Sequence, residues 1–436
     1  MRLPMEIYLV KQGDTIYSIA EAYKISPETL IRNNGIINYD NLVIGQTIVI
    51  VYPEETYTVK EGDTLFDIAA ANNVTPLELL RNNPDLSGRR LLYPGEELVI
   101  QYNNTNGRLK TNGYAYPFID FTILIKTLPY LSFLTIFTYQ LSSTGLLSGY
   151  DDADIINYAK IYGVAPIMFL NTTDRTIAAD PASFFSRSIS YEVLNSLITI
   201  IIDKIEETGY SGVNLFLENI TLDNYPIIVE NVKVLSSRMK EKGLITMFTL
   251  TPEIFNLPPG ITYLDIDYSD LAQAVDYIIL ASYNWGYTFG PPAAVTPIET
   301  VTQNLDYATS VIPSREIFIG VPIIGYDWKL SSDGNYTVAN ALNSDAAIML
   351  ATDVGAIIEF DTASMAPFFT YTSRDNNTDV NHIVWFKDAR SIQTLYGYTQ
   401  EYMLAGAAVW NIMHFFQQMW FIINTQYQII GPHDEF

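Results

Sequence analysis

The sequence predicts an α/β chain: an (β/α)8 TIM barrel with a small α+β insertion, preceded by two small βααβ modules. Three observations predict it. One motif series is written twice within the first hundred or so residues. Beyond residue 108, short apolar runs alternate with amphipathic stretches, the pattern of a parallel sheet with crossover helices. The interval between the seventh and eighth runs is too long for one helix and is rich in strand-forming residues.

The repeat comes first in the chain. Val10-Lys11-Gln12-Gly13-Asp14-Thr15 recurs as Val59-Lys60-Glu61-Gly62-Asp63-Thr64. Ile19-Ala20 recurs as Ile68-Ala69, and Arg32-Asn33-Asn34 as Arg81-Asn82-Asn83. Gly45 with Ile48-Val49-Ile50 recurs as Gly95 with Leu98-Val99-Ile100. In each copy a strand leads into two short helices and a closing strand. Asp14 is placed to cap the first helix, with Ile16, Ile19, Ala20 and Tyr23 on its inner face. Ser26-Pro27 and Thr75-Pro76 each put a capping hydroxyl before a proline at the first helical position. The modules are assigned to residues 6–52 and 55–102, and the barrel to 108–436, after the polar linker Asn103-Asn104-Thr105-Asn106-Gly107.

Barrel strands are expected at 114–119, 133–139, 164–170, 213–217, 245–250, 277–281, 317–321 and 407–410, with helices such as 191–208 and 225–242 between them. The insertion is expected at about 326–388. The apolar stretch 118–139 is broken by Asp120, Lys126 and Pro129, and reads as two buried strands flanking a loop rather than a membrane span. In such a barrel, chemistry sits at the C-terminal strand ends. The polar or aromatic residues ending apolar runs are Glu218, then Tyr283, Asn284 and Trp285, then Trp410 with Asn411.

Composition narrows the function. Of 436 residues, 48% are hydrophobic and 17% charged, which is enough apolar material for a sizeable core. The net charge of -24 opposes binding to nucleic acid or to an anionic membrane, and leaves a weakly charged polymer such as a glycan as a partner. With no cysteine there are no disulfides or thiolate ligands. His382, His414 and His433 lack metal-ligand spacing, so neither a metal nor a cofactor is expected. No apolar segment follows Met1-Arg2-Leu3-Pro4-Met5-Glu6, so no signal peptide is expected.

The doubled Val-x-x-Gly-Asp-Thr, Ile-Ala, Asn-Asn and Gly-x-x-Ile/Leu series resembles the LysM family. That resemblance implies binding to N-acetylglucosamine-containing polymers, peptidoglycan or chitin. It places Gly13, Asp14, Thr15 and Gly62, Asp63, Thr64 on one loop of each sugar groove. In the larger part, Ser211-Gly212-Val213-Asn214-Leu215-Phe216-Leu217-Glu218 is similar to the fourth-strand signature of family-18 glycoside hydrolases, Asp-Gly-x-x-x-Asp-x-Glu. Tyr283-Asn284-Trp285-Gly286-Tyr287, Gly325-Tyr326-Asp327-Trp328 and Val384-Trp385-Phe386-Lys387-Asp388-Ala389-Arg390-Ser391 strengthen the likeness. Joined to tandem LysM repeats, these motifs resemble the cortical-fragment-lytic N-acetylglucosaminidases of endospore formers, which implies a location in the bacterial spore.

The family resemblance implies retaining, substrate-assisted hydrolysis. Mapped onto this chain, Glu218 is the acid, Tyr283 the acetamido ligand and Trp410 the floor of the sugar subsite, with Asn284, Trp285, Asn214 and Phe216 beside the substrate. The acetamido-holding aspartate of the family is here Phe216, and the two preceding signature positions are Asn214 and Ser211. A phenyl ring neither accepts a hydrogen bond nor carries charge. Three outcomes follow: a peptidoglycan-binding N-acetylglucosaminidase of reduced activity, a catalytically inactive glycan-binding or structural spore-surface protein, or a chitinase.

Overall fold

The computed structural model describes residues 5–89, 91–104, 106–142, 145–171, 184–217, 220–251, 255–257, 260–262, 266–281, 290–330, 336–375 and 378–436. In the first module Met5–Leu9 pairs antiparallel with Thr47–Val51, around helices Ile16–Tyr23 and Pro27–Asn34. In the second, Glu55–Thr58 pairs with Glu97–Gln101, around Leu65–Ala71 and Pro76–Asn82. Ser26 and Thr75 cap as expected, each before its proline. The cap of the first helix falls on Thr15 and not on Asp14. Thr15 is the last extended residue, and its hydroxyl accepts from the Ser18 amide at 3.0 Å. Asp14, one residue too early to reach that turn, accepts from the Lys11 amide at 2.8 Å and from the Tyr8 hydroxyl at 2.6 Å. The repeat preserves the division of labour: Thr64 caps, while Asp63 accepts from the Lys60 amide and the Tyr57 hydroxyl.

Among the described residues, eight parallel strands close a barrel: Arg108–Ala115, Phe133–Leu141, Ala165–Asn171, Gly212–Phe216, Ile245–Leu250, Tyr277–Leu280, Ile317–Pro322 and Gly406–Trp410. The first and last pair with each other, and the first also pairs with the second. The first strand lies earlier than the expected 114–119. Its residues Lys110, Thr111 and Asn112 are buried but polar, so hydrophobicity does not mark them. They find partners inside: Thr135 donates to the Asn112 carbonyl at 2.8 Å, and the Thr111 amide donates to the Ser132 hydroxyl at 2.9 Å, although the Asn112 amino group has no partner. Residues 116–119 form a turn, and Phe121–Thr127 is a helix rather than part of a strand. Asp120 caps it by accepting from the Thr122 and Ile123 amides. No described helix is long and apolar enough to cross a membrane.

The barrel interior is filled in layers. Phe133, Tyr277 and Phe318 meet ring to ring near its N-terminal end, with centroids 5.3–6.0 Å apart. There the Lys110 ammonium donates to the Tyr277 hydroxyl and to the Pro432 carbonyl, closing the bottom. After the seventh strand the chain makes an antiparallel sheet in the spatial order Asn340–Asn343, Ile324–Lys329, Thr378–Trp385, Ala366–Asp375, Glu359–Asp361, covered by helix Ser344–Val354. This is the inserted unit.

Both modules are seated on the barrel. Gln418, at the start of the buried helix Gln417–Gln426, donates to Asn34 at 3.1 Å and to the Thr47 carbonyl at 2.7 Å. At the other end of that helix Asn424 donates to Asn82 at 2.7 Å. The repeated Asn-Asn pair thus meets the two ends of one helix. The modules differ in their last loop. Val43 enters the core of the insertion, the Ile358 amide donates to the Ile44 carbonyl at 2.9 Å, and a Cβ on Gly45 would lie 1.9 Å from the Ile358 carbonyl oxygen. The repeat counterpart Gly95 has open space, and nearby Tyr93 is exposed. Both glycines have positive φ, so alanine strains each backbone alike. Gly45→Ala is therefore expected to destabilise the chain by about 1–3 kcal/mol more than Gly95→Ala, as measured by urea unfolding.

Candidate active site

The C-terminal mouth of the barrel holds a cleft of about 350 Å³, lined mainly by Tyr114, Phe137, Phe169, Phe216, Tyr326 and Trp410. Strand alternation explains the rings. In the fourth strand Val213 and Leu215 face the helices, while Asn214 and Phe216 point inward. Phe137 stacks on Phe169 at 4.0 Å, and Phe169 on Phe216 at 5.8 Å. Trp410, from the eighth strand, meets Phe137 edge-on at 5.0 Å and Tyr114 at 5.3 Å. Outside the mouth Tyr116 continues the series, stacked at 5.3 Å on Phe118, which is 78% exposed.

Beneath these rings lies a closed triangle of neutral groups. The Asn214 amino group donates to the Tyr114 hydroxyl at 3.1 Å, and the Thr249 hydroxyl donates to the Asn214 carbonyl at 2.9 Å. Tyr114 and Thr249 are 3.1 Å apart, and with the Thr249 proton already used, Tyr114 donates. Burial pushes the Tyr114 hydroxyl up to about 12, so it stays protonated and able to donate. Asn214 is thereby fixed in orientation but carries no charge. Among the described residues no ionisable carboxylate or cation lines the cleft, and no group of acidic or histidine side chains could hold a metal.

Of the residues singled out in the sequence, Asn214, Phe216 and Trp410 come together at this mouth. Glu218, Tyr283, Asn284 and Trp285 lie outside the described residues. Tyr114, Phe137, Phe169, Thr249 and Tyr326 line the cleft without having been anticipated. Period-two alternation, carried along each strand to its C-terminal end, is the signal that marks the rings. In the modules, Gly13, Thr15, Gly62 and Thr64 are exposed on their loops, and Asp14 and Asp63 are half-buried under them. Tyr17 and Phe66, at matching positions of the repeat, are both exposed.

Residues 123–414 match the family described as glycosyl hydrolases family 18, and residues 8–51 and 57–101 each match the LysM domain. A cortical fragment-lytic enzyme of Bacillus subtilis (strain 168) is 31% identical over 432 residues, covering 98% of this chain and 99% of that one. One from Bacillus anthracis is 32% identical over 444 residues, with the same coverage. The crystal structure of the Bacillus cereus spore cortex-lytic enzyme SleL superposes with a TM-score of 0.78 at 27% identity, over 99% of this chain and 100% of that chain. A family-18 match across the closed barrel, behind two LysM matches, makes this chain a member of glycosyl hydrolase family 18 with tandem N-terminal LysM domains.

Proposed function

We propose that this protein binds the N-acetylglucosamine-containing glycan of spore cortex peptidoglycan through its LysM modules, and that its barrel is an N-acetylglucosaminidase of reduced activity. The observation that carries this reading is the full-length likeness to cortical fragment-lytic enzymes, modules and barrel together. An aromatic cleft with few polar groups suits the apolar faces of sugar rings. In this reading Glu218 protonates the leaving oxygen, the substrate's acetamido group attacks, Tyr283 holds that group, and Trp410 floors the subsite, flanked by Asn284 and Trp285. The LysM loops at Gly13, Asp14, Thr15 and Gly62, Asp63, Thr64 hold the polymer. Two linked modules raise each other's effective concentration on a repeating chain, so weak grooves suffice. Spore association follows the same relatives.

A second reading, a glycan-binding protein without turnover, is favoured by the Phe216 ring standing where the family carries a carboxylate. Cortex muropeptides incubated with the native protein and with Glu218→Gln separate the two. Slow release of N-acetylglucosamine ends by the native protein, abolished in the variant, supports the enzyme. No release by either, with pelleting on insoluble cortex retained, supports the binding protein.

A further inference from the structure

Between the second module and the barrel lies an open cavity of about 410 Å³ that shares no residue with the aromatic cleft. Its walls come from helix Pro76–Asn82, the linker at Tyr102 to Asn104, the start of the first barrel strand and the chain at Gln428. Its deepest charged group is Arg81, whose side chain is 10% exposed. Nη1 donates to the Pro129 carbonyl at 3.1 Å, but Nη2 stands 3.9 Å from one Glu78 oxygen, too far for a hydrogen bond. The other Glu78 oxygen is committed to the helix start, accepting from the Thr75 amide at 2.7 Å and the Thr75 hydroxyl at 2.8 Å. No Arg81 nitrogen is sealed in without a partner, so its remaining donors open onto the cavity. Arg108 stands exposed on the rim and makes no hydrogen bond or ion pair with a described residue. Two guanidiniums against one carboxylate make this cavity positive in a chain whose net charge is -24.

Around these charges Asn73, Gln101, Asn103 and Gln428 present carboxamides that hydrogen-bond to no described residue. A carboxamide both donates and accepts, so it can pair with either side of a peptide bond. The rings at the cavity, Tyr102 and Tyr427, are buried, and no aromatic face is offered to a sugar. We propose that this cavity binds a short peptide with a free carboxylate, the carboxylate on Arg81 and Arg108 and the amides on Asn73, Gln101, Asn103 and Gln428. The inference rests on the peptidoglycan reading for the source of the ligand: that polymer carries short peptides on its sugars, and the cavity takes the peptide while other surfaces take the glycan. Guanidinium pairs with carboxylate through charge-assisted hydrogen bonds, which are the strong ones.

Isothermal titration calorimetry of the full chain tests this with acetyl-trialanine, its C-terminal amide and inorganic phosphate. The free-carboxylate tripeptide is expected to bind, and its amide to bind about 10-fold more weakly. Arg108→Gln is expected to weaken the tripeptide by about 10-fold, and Asn103→Ala by about 5-fold, with urea midpoints unchanged because both side chains are exposed. Absence of tripeptide binding by the native protein overturns the site, as do both variants binding as tightly as native. Heat from phosphate with none from the tripeptide would mean an anion hole and no peptide site. An amide that binds as well as the free acid removes the carboxylate from the assignment. Pelleting on insoluble cortex is scored separately. Tripeptide binding without pelleting keeps the site and removes peptidoglycan as its source; pelleting without tripeptide binding sinks the site and leaves the peptidoglycan reading standing.

Discussion

Phe216→Asp is expected to raise turnover of N-acetylglucosamine-terminated cortex fragments by about 10²–10³ over the native protein. On the proposed enzymatic reading, the group missing at Phe216 is one preorganised electrostatic partner for the cationic intermediate, and losing such a partner typically costs about 2.7–4 kcal/mol. The position faces the cleft, where Phe216 stacks on Phe169. The surroundings limit the gain. The hydrogens of Asn214, Tyr114 and Thr249 that close the triangle are committed to one another, so these donors are not waiting for a carboxylate. The aromatic walls also desolvate it, which raises its pKa and favours the neutral form. Phe216→Asn separates charge from space: it opens the same volume without the charge and is expected to gain far less. Combining Phe216→Asp with Glu218→Gln should return the rate to background. Initial rates of reducing-end release measure all three, and equal rates for Phe216→Asp and native protein would mean that the cleft has diverged at further positions.

What could be read in advance, and what could not, has a physical pattern. The modules were legible because their turns need particular residues: Gly13 and Gly62 both sit at positive φ, and the hydroxyl–proline pairs start helices. Most barrel strands were legible because their runs are apolar on both faces. The first was displaced because its polar residues find partners inside the barrel, such as Thr135 of the next strand and Ser132 just before it. The helix Phe121–Thr127 was hidden by its β-branched apolar content, and only the Asp120 cap argues for it. Phe216 could be singled out from the motif, but the aromatic box around it could not. It needs rings from different strands to converge, and a one-dimensional pattern carries no such distance. The seating of the modules on Gln417–Gln426 is likewise a long-range match, joining Asn34 to Gln418 across most of the chain.

Replacing Lys387 with methionine is expected to stabilise the protein near pH 7 by a few kcal/mol and to flatten its stability profile between pH 7 and about 9.5. Lys387 is buried within the family motif, where its ammonium donates to the Thr296 hydroxyl. The adjacent Asp388 carboxylate compensates only in part. It is held by the Arg390 guanidinium at 2.6 Å, and it caps helix Ala389–Glu401 through the Arg390 and Ser391 amides. Burial therefore dominates and holds the Lys387 amine down at about 7, from an ordinary 10.5. The sign follows from the protons. Between these values the unfolded chain binds a proton that the folded chain does not, so stability rises with pH by up to about 1.4 kcal/mol per unit and is lost as pH falls through 7. Above about pH 10 the tyrosines reverse the trend, since burial raises Tyr130, Tyr210 and Tyr396 in the folded state and they ionise first when unfolded. Urea midpoints of native protein and Lys387→Met at pH 6, 7, 8 and 9 measure the difference; parallel profiles would mean that the amine is charged and compensated in place. The variant also bears on the cleft. Lys387 to Thr296, and the Trp328 indole to the Gly290 carbonyl at 2.9 Å, are two ties between the insertion and the segment carrying Val295, which lines the cleft. With the first tie cut, the second remains, so the gain in global stability should come with weaker glycan binding at Trp410. The buried amine thus works against the fold while tying the insertion to the segment that carries a cleft wall.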